Sequence, residues 1–160
     1  MSLLHKTAAP MSFTFVRTRH RGGRSIIGGP IFRQLLAQEK KRSERSGNSF
    51  VLVVLPVAER LHCQGEAFAV FERRIFSQIR DTDLVGWYDE NEWTLGILFT
   101  EIGEASETNE RSASAVLDRV KEIISPHTLQ ERQGKIRCTV FERGRRHYDG
   151  SLEPHLLTGD

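Results

Sequence analysis

Five carboxylates between positions 81 and 92 form the densest group of chemically active side chains in this sequence. They are Asp81, Asp83, Asp89, Glu90 and Glu92. Carboxylate oxygens are suitable ligands for a divalent cation, but the regular spacing of a calcium-binding EF-hand loop is absent. The pattern therefore favours a solvated acidic loop over a metal site.

Other reactive residue types give weaker indications. Trp87 and Trp93 flank the acidic stretch and could stack on a nucleic-acid base, although packing across two strands is the favoured role. The six histidines show no metal-ligand spacing, and no Ser/His/Asp set is evident. Cys63 and Cys138 stand far apart, so we expect reduced thiols, with Cys138 a small core residue.

Composition and charge limit the class of protein. The chain has 160 residues, of which 38% are hydrophobic, which suits one domain with loose ends. No apolar run reaches membrane-spanning length, and the first residues lack a signal-peptide core, so we expect a cytoplasmic protein. Residues 1–30 carry five basic residues and no acidic one. This composition favours a solvated tail over a nucleic-acid arm.

Hydrophobic periodicity predicts alternating helices and strands. Pro30 suits the first turn of a helix and Gly47 suits its end. The run from Phe50 to Val57 is unbroken and β-branched, which indicates a central strand that ends near Pro56. The predicted helices cover residues 31–45, 64–79 and 109–124, and the predicted strands cover 50–57, 84–88, 93–99 and 135–141.

This order predicts an α/β (α+β) fold in which helices flank a single sheet. A strand that is joined to the hairpin through a helix suggests a βαβ crossover, and hence a mixed sheet. We predict a basic flexible tail over residues 1–29, one domain over 30–142, and a loose polar tail over 143–160.

Residues 31–142 resemble the GGDEF (diguanylate cyclase) family. The likeness depends on a helix that ends in a basic stretch, on Ser49-Phe50 opening a hydrophobic strand, and on residues 79–88 entering a hairpin. A later helix with Ala113 and Val116 completes it. The resemblance implies a nucleotidyl-cyclase-like fold and a role in bacterial signalling.

The residues that active family members use for catalysis are replaced here. The hairpin turn of active members reads Gly-Gly-Asp/Glu-Glu-Phe, and their strand aspartates align with Pro56 and Ala58, which cannot bind a metal through their side chains. We therefore expect a degenerate, non-catalytic domain with no metal and no cofactor. The degenerate signature comprises Asp89, Glu90, Asn91, Glu92 and Trp93.

One family site is retained in this chain. Many members carry Arg-x-x-Asp before the hairpin strand and bind cyclic di-GMP there, and this chain has Arg80 and Asp83 at that place. A guanidinium offers a fork of donors, and a carboxylate accepts from guanine N–H groups. Arg111 or Arg119 could complete the site. The alternative is a surface ion pair that caps the second helix.

Four functions are ranked from these observations. The first is a signalling domain that binds cyclic di-GMP or pairs with a protein partner or a second copy. The alternative is a protein-interaction scaffold with no nucleotide ligand. A nucleic-acid-binding module acting through residues 1–45 ranks below both, and an active cyclase ranks last.

Overall fold

The computed structural model describes residues 24–57, 65–89, 91, 93–102, 109–123, 136–143 and 145–152. None of the helices in this part of the chain is both long and apolar enough to cross a membrane. The cytoplasmic location stays a prediction. The helices are α1 (Gly29–Ser46), α2 (Gly65–Gln78) and α3 (Asn109–Ile123), and the strands are β1 (Ser49–Pro56), β2 (Leu84–Asp89), β3 (Thr94–Ile102), β4 (Ile136–Glu142) and β5 (Arg145–Leu152).

The strands form one five-stranded sheet in the order β2-β3-β1-β4-β5. The predicted single sheet with flanking helices is confirmed. The expected mixed pairing is wrong for the named strands, because all four ladders are antiparallel. β1 and β2 do run in the same direction through α2, as predicted, but β3 inserts between them and pairs antiparallel with both. The parallel contact in the described residues is an isolated bridge between Ile27 and Gly86.

β1 lies at the centre of the sheet and is buried on both faces, as its unbroken hydrophobic run predicts. Val51, Val53 and Leu55 belong to the core under α2 and α3, whereas the intervening residues face α1. Cys138 is fully buried in the first of these cores, which confirms its predicted role. Cys63 lies outside the described residues.

α1 begins and ends as the sequence predicts. Pro30 lies in its first turn, and Gly47 ends it in the left-handed region with φ 78°, donating its N–H to Ser43 O at 2.9 Å. Glycine adopts this conformation without the steric penalty of a Cβ.

Phe32 attaches α1 to the sheet at a cross-strand pair of glycines. Gly86 of β2 and Gly96 of β3 are opposite each other in the ladder. A Cβ on either glycine would lie 2.4 Å from an atom of the Phe32 ring. The fully buried ring therefore occupies space that is open only because both residues lack a side chain.

Two segments predicted to be loose are ordered. Residues 145–152 form β5, so the prediction of a loose chain from Arg143 onward is wrong there. Residues 24–28, within the predicted flexible tail, dock on the edge of β2. Ile27 N–H donates to Val85 O and Trp87 N–H donates to Ile27 O, each at 2.9 Å. Residues 1–23 and 153–160 lie outside the described residues, and the domain boundaries stay a prediction.

The packing of Phe32 against Gly86 and Gly96 predicts a specific pattern of stability changes. Gly86→Ala should lower the free energy of unfolding by about 1–3 kcal/mol, because the added methyl overpacks the site. Phe32→Ala alone should cost about 3–5 kcal/mol, and in that background Gly86→Ala should lose most of its effect. Chemical denaturation of the four proteins measures this coupling.

Gly65→Ala is the matched control, since a Cβ there meets no atom within 4 Å. It should change the stability by no more than about 0.5 kcal/mol. Additive effects of Gly86→Ala and Phe32→Ala would contradict the close packing of the Phe32 ring on Gly86.

Candidate functional site

The Asp83 carboxylate organises the loop between α2 and β2. The residue is buried, with 2% of its surface exposed. Its Oδ2 accepts the Arg80 backbone N–H at 2.8 Å, and its Oδ1 accepts the Thr100 N–H of β3 at 3.1 Å. A carboxylate that accepts two backbone N–H groups is a strong loop brace, because charge-assisted hydrogen bonds exceed neutral ones in strength. Asp83 thereby fixes the 80–83 loop to the sheet.

Arg80 lies on this loop with its side chain exposed. Its backbone is held on both sides, since its N–H bonds to Asp83 Oδ2 and its carbonyl accepts the Asp83 N–H at 3.1 Å. The bond between the two predicted site residues therefore joins the Asp83 carboxylate to the Arg80 backbone. The surface ion pair of the alternative is not formed, because Asp83 is buried, but its carboxylate does have a structural role, through the backbone N–H groups of Arg80 and Thr100.

Arg24 is a third charged residue at this loop, and the sequence analysis missed it. Its Nη2 donates to Arg80 O at 2.7 Å and to Asp83 O at 2.8 Å, and its Nη1 lies 3.3 Å from Asp81 Oδ1. Its guanidinium also lies over the Phe76 ring of α2, at 5.1 Å from the centroid. No sequence pattern marks this residue, because it is 56 positions from Arg80 and belongs to a segment that reads as tail.

The structure brings the end of β1 next to the hairpin turn. Pro56 pairs with Thr94, and the Val57 N–H donates to Trp93 O at 2.8 Å. Within the turn, Asp89 Oδ1 accepts the Asn91 N–H at 2.9 Å, and Trp93 adopts a positive φ of 50°. Ala58, Glu90 and Glu92 lie outside the described residues.

The two tryptophans pack in the core beside this turn. Trp87 and Trp93 meet edge to face with centroids 5.9 Å apart, and Trp87 stacks on Phe68 of α2 at 6.2 Å. Trp87 is 3% exposed. The favoured interpretation of these residues as packing partners is confirmed.

Those remaining candidate residues that the structure describes do not assemble into a recognisable centre. Within the described ranges, no group of three or more His, Cys, Asp or Glu side chains could hold a metal ion. Asp81 has a 99% exposed side chain, whereas Asp83 is buried, so the acidic stretch does not share one environment. Arg119 is half-buried on α3, and the side chain of Arg111 lies outside the description.

Comparison with solved structures identifies the fold. The chain is similar to the coiled-coil and GGDEF domain of DgcB from Caulobacter crescentus, solved in complex with cyclic di-GMP, with 13% identity and a TM-score of 0.50 over 82% of this chain and 70% of that one. It is also similar to a microbial GGDEF domain whose interaction with cyclic di-GMP has been described, with 15% identity and a TM-score of 0.42 over 82% and 80% of the two chains. No known family profile and no curated protein matches the sequence. The likeness to the DgcB domain shows that the chain has a GGDEF-like fold.

The buried brace predicts that Asp83 contributes to stability. Asp83→Ala leaves the Arg80 and Thr100 N–H groups without their acceptor and should destabilise the domain by about 1–3 kcal/mol. Asp81→Ala, at an exposed carboxylate on the same loop, should change stability by no more than about 1 kcal/mol. Thermal or urea unfolding of both variants gives the comparison. Equal stabilities for the two would show that the Asp83 carboxylate is not the brace.

Proposed function

We propose that this chain is a non-catalytic GGDEF-like signalling domain that binds cyclic di-GMP at the 80–83 loop. Arg80 is the proposed contact residue, and Asp83 holds the loop in its binding conformation. A direct contact between Asp83 and the ligand stays a prediction. In this structure both oxygens of Asp83 accept backbone N–H groups of the protein.

The observation that carries the proposal is an exposed guanidinium on a fixed backbone. Arg80 is held through its N–H and its carbonyl, so little backbone order has to be gained when a ligand binds. Preorganisation of this kind strengthens binding, because the entropy of ordering is already lost in the free protein. The fork of an arginine also matches the acceptors of a phosphate or the guanine edge. The cyclic di-GMP complex of the similar DgcB domain supports this choice of ligand.

The composition at the end of β1 supports the absence of catalysis. Two-metal phosphoryl transfer needs anionic oxygens on both sides of the reacting phosphate. Pro56 and Val57 stand here beside the hairpin turn, and Trp87, Trp93 and Phe68 fill the adjacent space. Among the described residues at the end of β1 and in the turn, the one carboxylate is that of Asp89, and its Oδ1 already accepts the Asn91 N–H.

An interaction scaffold would be favoured by an exposed apolar patch. Among the described residues, the large hydrophobic side chains that are exposed are Ile31 and Val70. Ile31 belongs to α1 and Val70 to α2, and these helices cover opposite faces of the sheet. They do not form one patch, so the nucleotide-binding proposal ranks first.

Calorimetric titration with cyclic di-GMP tests the binding site. Wild-type protein should bind at micromolar affinity or better, which corresponds to about −8 kcal/mol. Arg80→Ala should weaken binding about tenfold to a hundredfold, because it removes a charge-assisted hydrogen bond. Arg74→Ala, at an exposed arginine of α2, is the control and should bind like wild type. An absence of binding, or equal affinities for Arg80→Ala and wild type, would refute the site.

A turnover assay tests the second part of the proposal. Purified protein incubated with GTP and either magnesium or manganese should yield no cyclic di-GMP, because the strand positions that would hold the metals are Pro56 and Ala58. Chromatographic detection of product in excess over enzyme would show that the domain is catalytic after all. The binding site at Arg80 would be unaffected by that result.

A further inference from the structure

The residues just before α1 are attached to the 80–83 loop through Arg24. Residues 24–28 lie along the edge of β2, held by the Ile27 and Trp87 hydrogen bonds. The Ile26 N–H also faces the buried Glu72 carboxylate of α2 at 3.4 Å. These residues, here named the docking segment, reach the loop because Arg24 stands at their start.

The Arg24 guanidinium bonds to both ends of the loop. A single nitrogen, Nη2, donates to the carbonyls of Arg80 and Asp83 at 2.7 and 2.8 Å. This double contact holds the first and last residues of the loop at a set separation. The side chain is 26% exposed and lies over Phe76, so its hydrogen bonds are partly shielded from water.

Arg24 and Asp83 bond to different backbone groups of the same residue, Arg80. Asp83 accepts the Arg80 N–H, and Arg24 donates to the Arg80 carbonyl. Thr100 adds a third restraint, because its hydroxyl donates to Thr82 O at 3.1 Å. Of these three restraints, the contact from Arg24 is the one that depends on a segment outside the α2–β2–β3 unit.

We propose that Arg24 is a positioning residue for the ligand site on the 80–83 loop, and that it couples occupancy of this loop to docking of the segment that precedes α1. The inference takes its ligand, cyclic di-GMP, from the proposed function. Coupling of this kind is reciprocal: a docked segment raises ligand affinity, and bound ligand stabilises the docked segment by the same factor. Any chain movement that withdraws residues 24–28 would then weaken the site.

Amide hydrogen exchange in the free protein tests the positioning role. Arg24→Gln should accelerate exchange of the Arg80, Asp83 and Thr100 amides, because the loop loses the restraint on its carbonyls. Arg24→Lys keeps the charge but not the fork, and should give an intermediate effect. Arg33→Gln is the control: its Nη1 lies 3.4 Å from Tyr88 O and away from the loop. Wild-type exchange rates at all three amides in Arg24→Gln would overturn the positioning role.

Calorimetry and exchange with cyclic di-GMP test the coupling. Arg24→Gln should bind about tenfold more weakly than wild type, a typical size for the coupling between two linked sites. Bound ligand should slow exchange of the Ile27 and Trp87 amides in wild type and do so less in Arg24→Gln. Equal affinities, or ligand that leaves these two amides unchanged, would overturn the coupling while the proposed function stands. If wild type binds no cyclic di-GMP, the proposed function and the coupling both fall, and the free-protein exchange rates still decide the positioning role.

Discussion

The packing of Phe32 against Gly86 and Gly96 is the contact on which the arrangement of this domain depends. It brings the start of α1 to within van der Waals distance of the β2–β3 backbone. Because residues 24–28 immediately precede α1, the same contact delivers them to the edge of β2, where they pair with it. Arg24 reaches the 80–83 loop as a consequence. A side chain at either glycine would displace the helix, and with it the whole chain of contacts.

The loop that results is fixed by charge as well as by packing. A buried carboxylate is costly unless its oxygens are hydrogen-bonded, and each oxygen of Asp83 accepts a backbone N–H group. The Arg24 guanidinium adds positive charge at the opposite side of the same loop. Arg80 is left pointing toward solvent on a backbone that is restrained from both directions.

The proposed absence of catalysis concerns the end of β1. The topology sets the end of β1 beside the hairpin turn, where Pro56 pairs with Thr94 and the Val57 N–H donates to Trp93 O. Pro56 stands at one of the positions that the resemblance assigns to metal binding, and Trp93 of the turn packs against Trp87. A fold specifies which positions come together, whereas the side chains at those positions determine the chemistry. The proposed signalling role therefore depends on the 80–83 loop and not on the end of β1.

The sequence by itself determined the elements whose signals are local. These are the hydrophobic run in β1, the helical periodicity over residues 64–79, and the Pro30 and Gly47 ends of α1. Each depends on periodicity or on the backbone preference of a single residue, and the structure matches each to within a few residues. The position of Arg80 on a helix–strand loop was also predictable, since the family motif and the end of the α2 periodicity coincide there.

Only the tertiary structure decided the features that depend on distant partners. β5 has no hydrophobic alternation that would predict a strand. As an edge strand it is ordered by its hydrogen bonds to β4. β1 pairs antiparallel with β3 because β3 inserts between β1 and β2, which no local pattern encodes. Asp83 reads as a surface acid until Thr100 of β3 is placed beside it. Arg24 acquires a role only when α1 is docked, because its partners are more than 50 residues away in sequence.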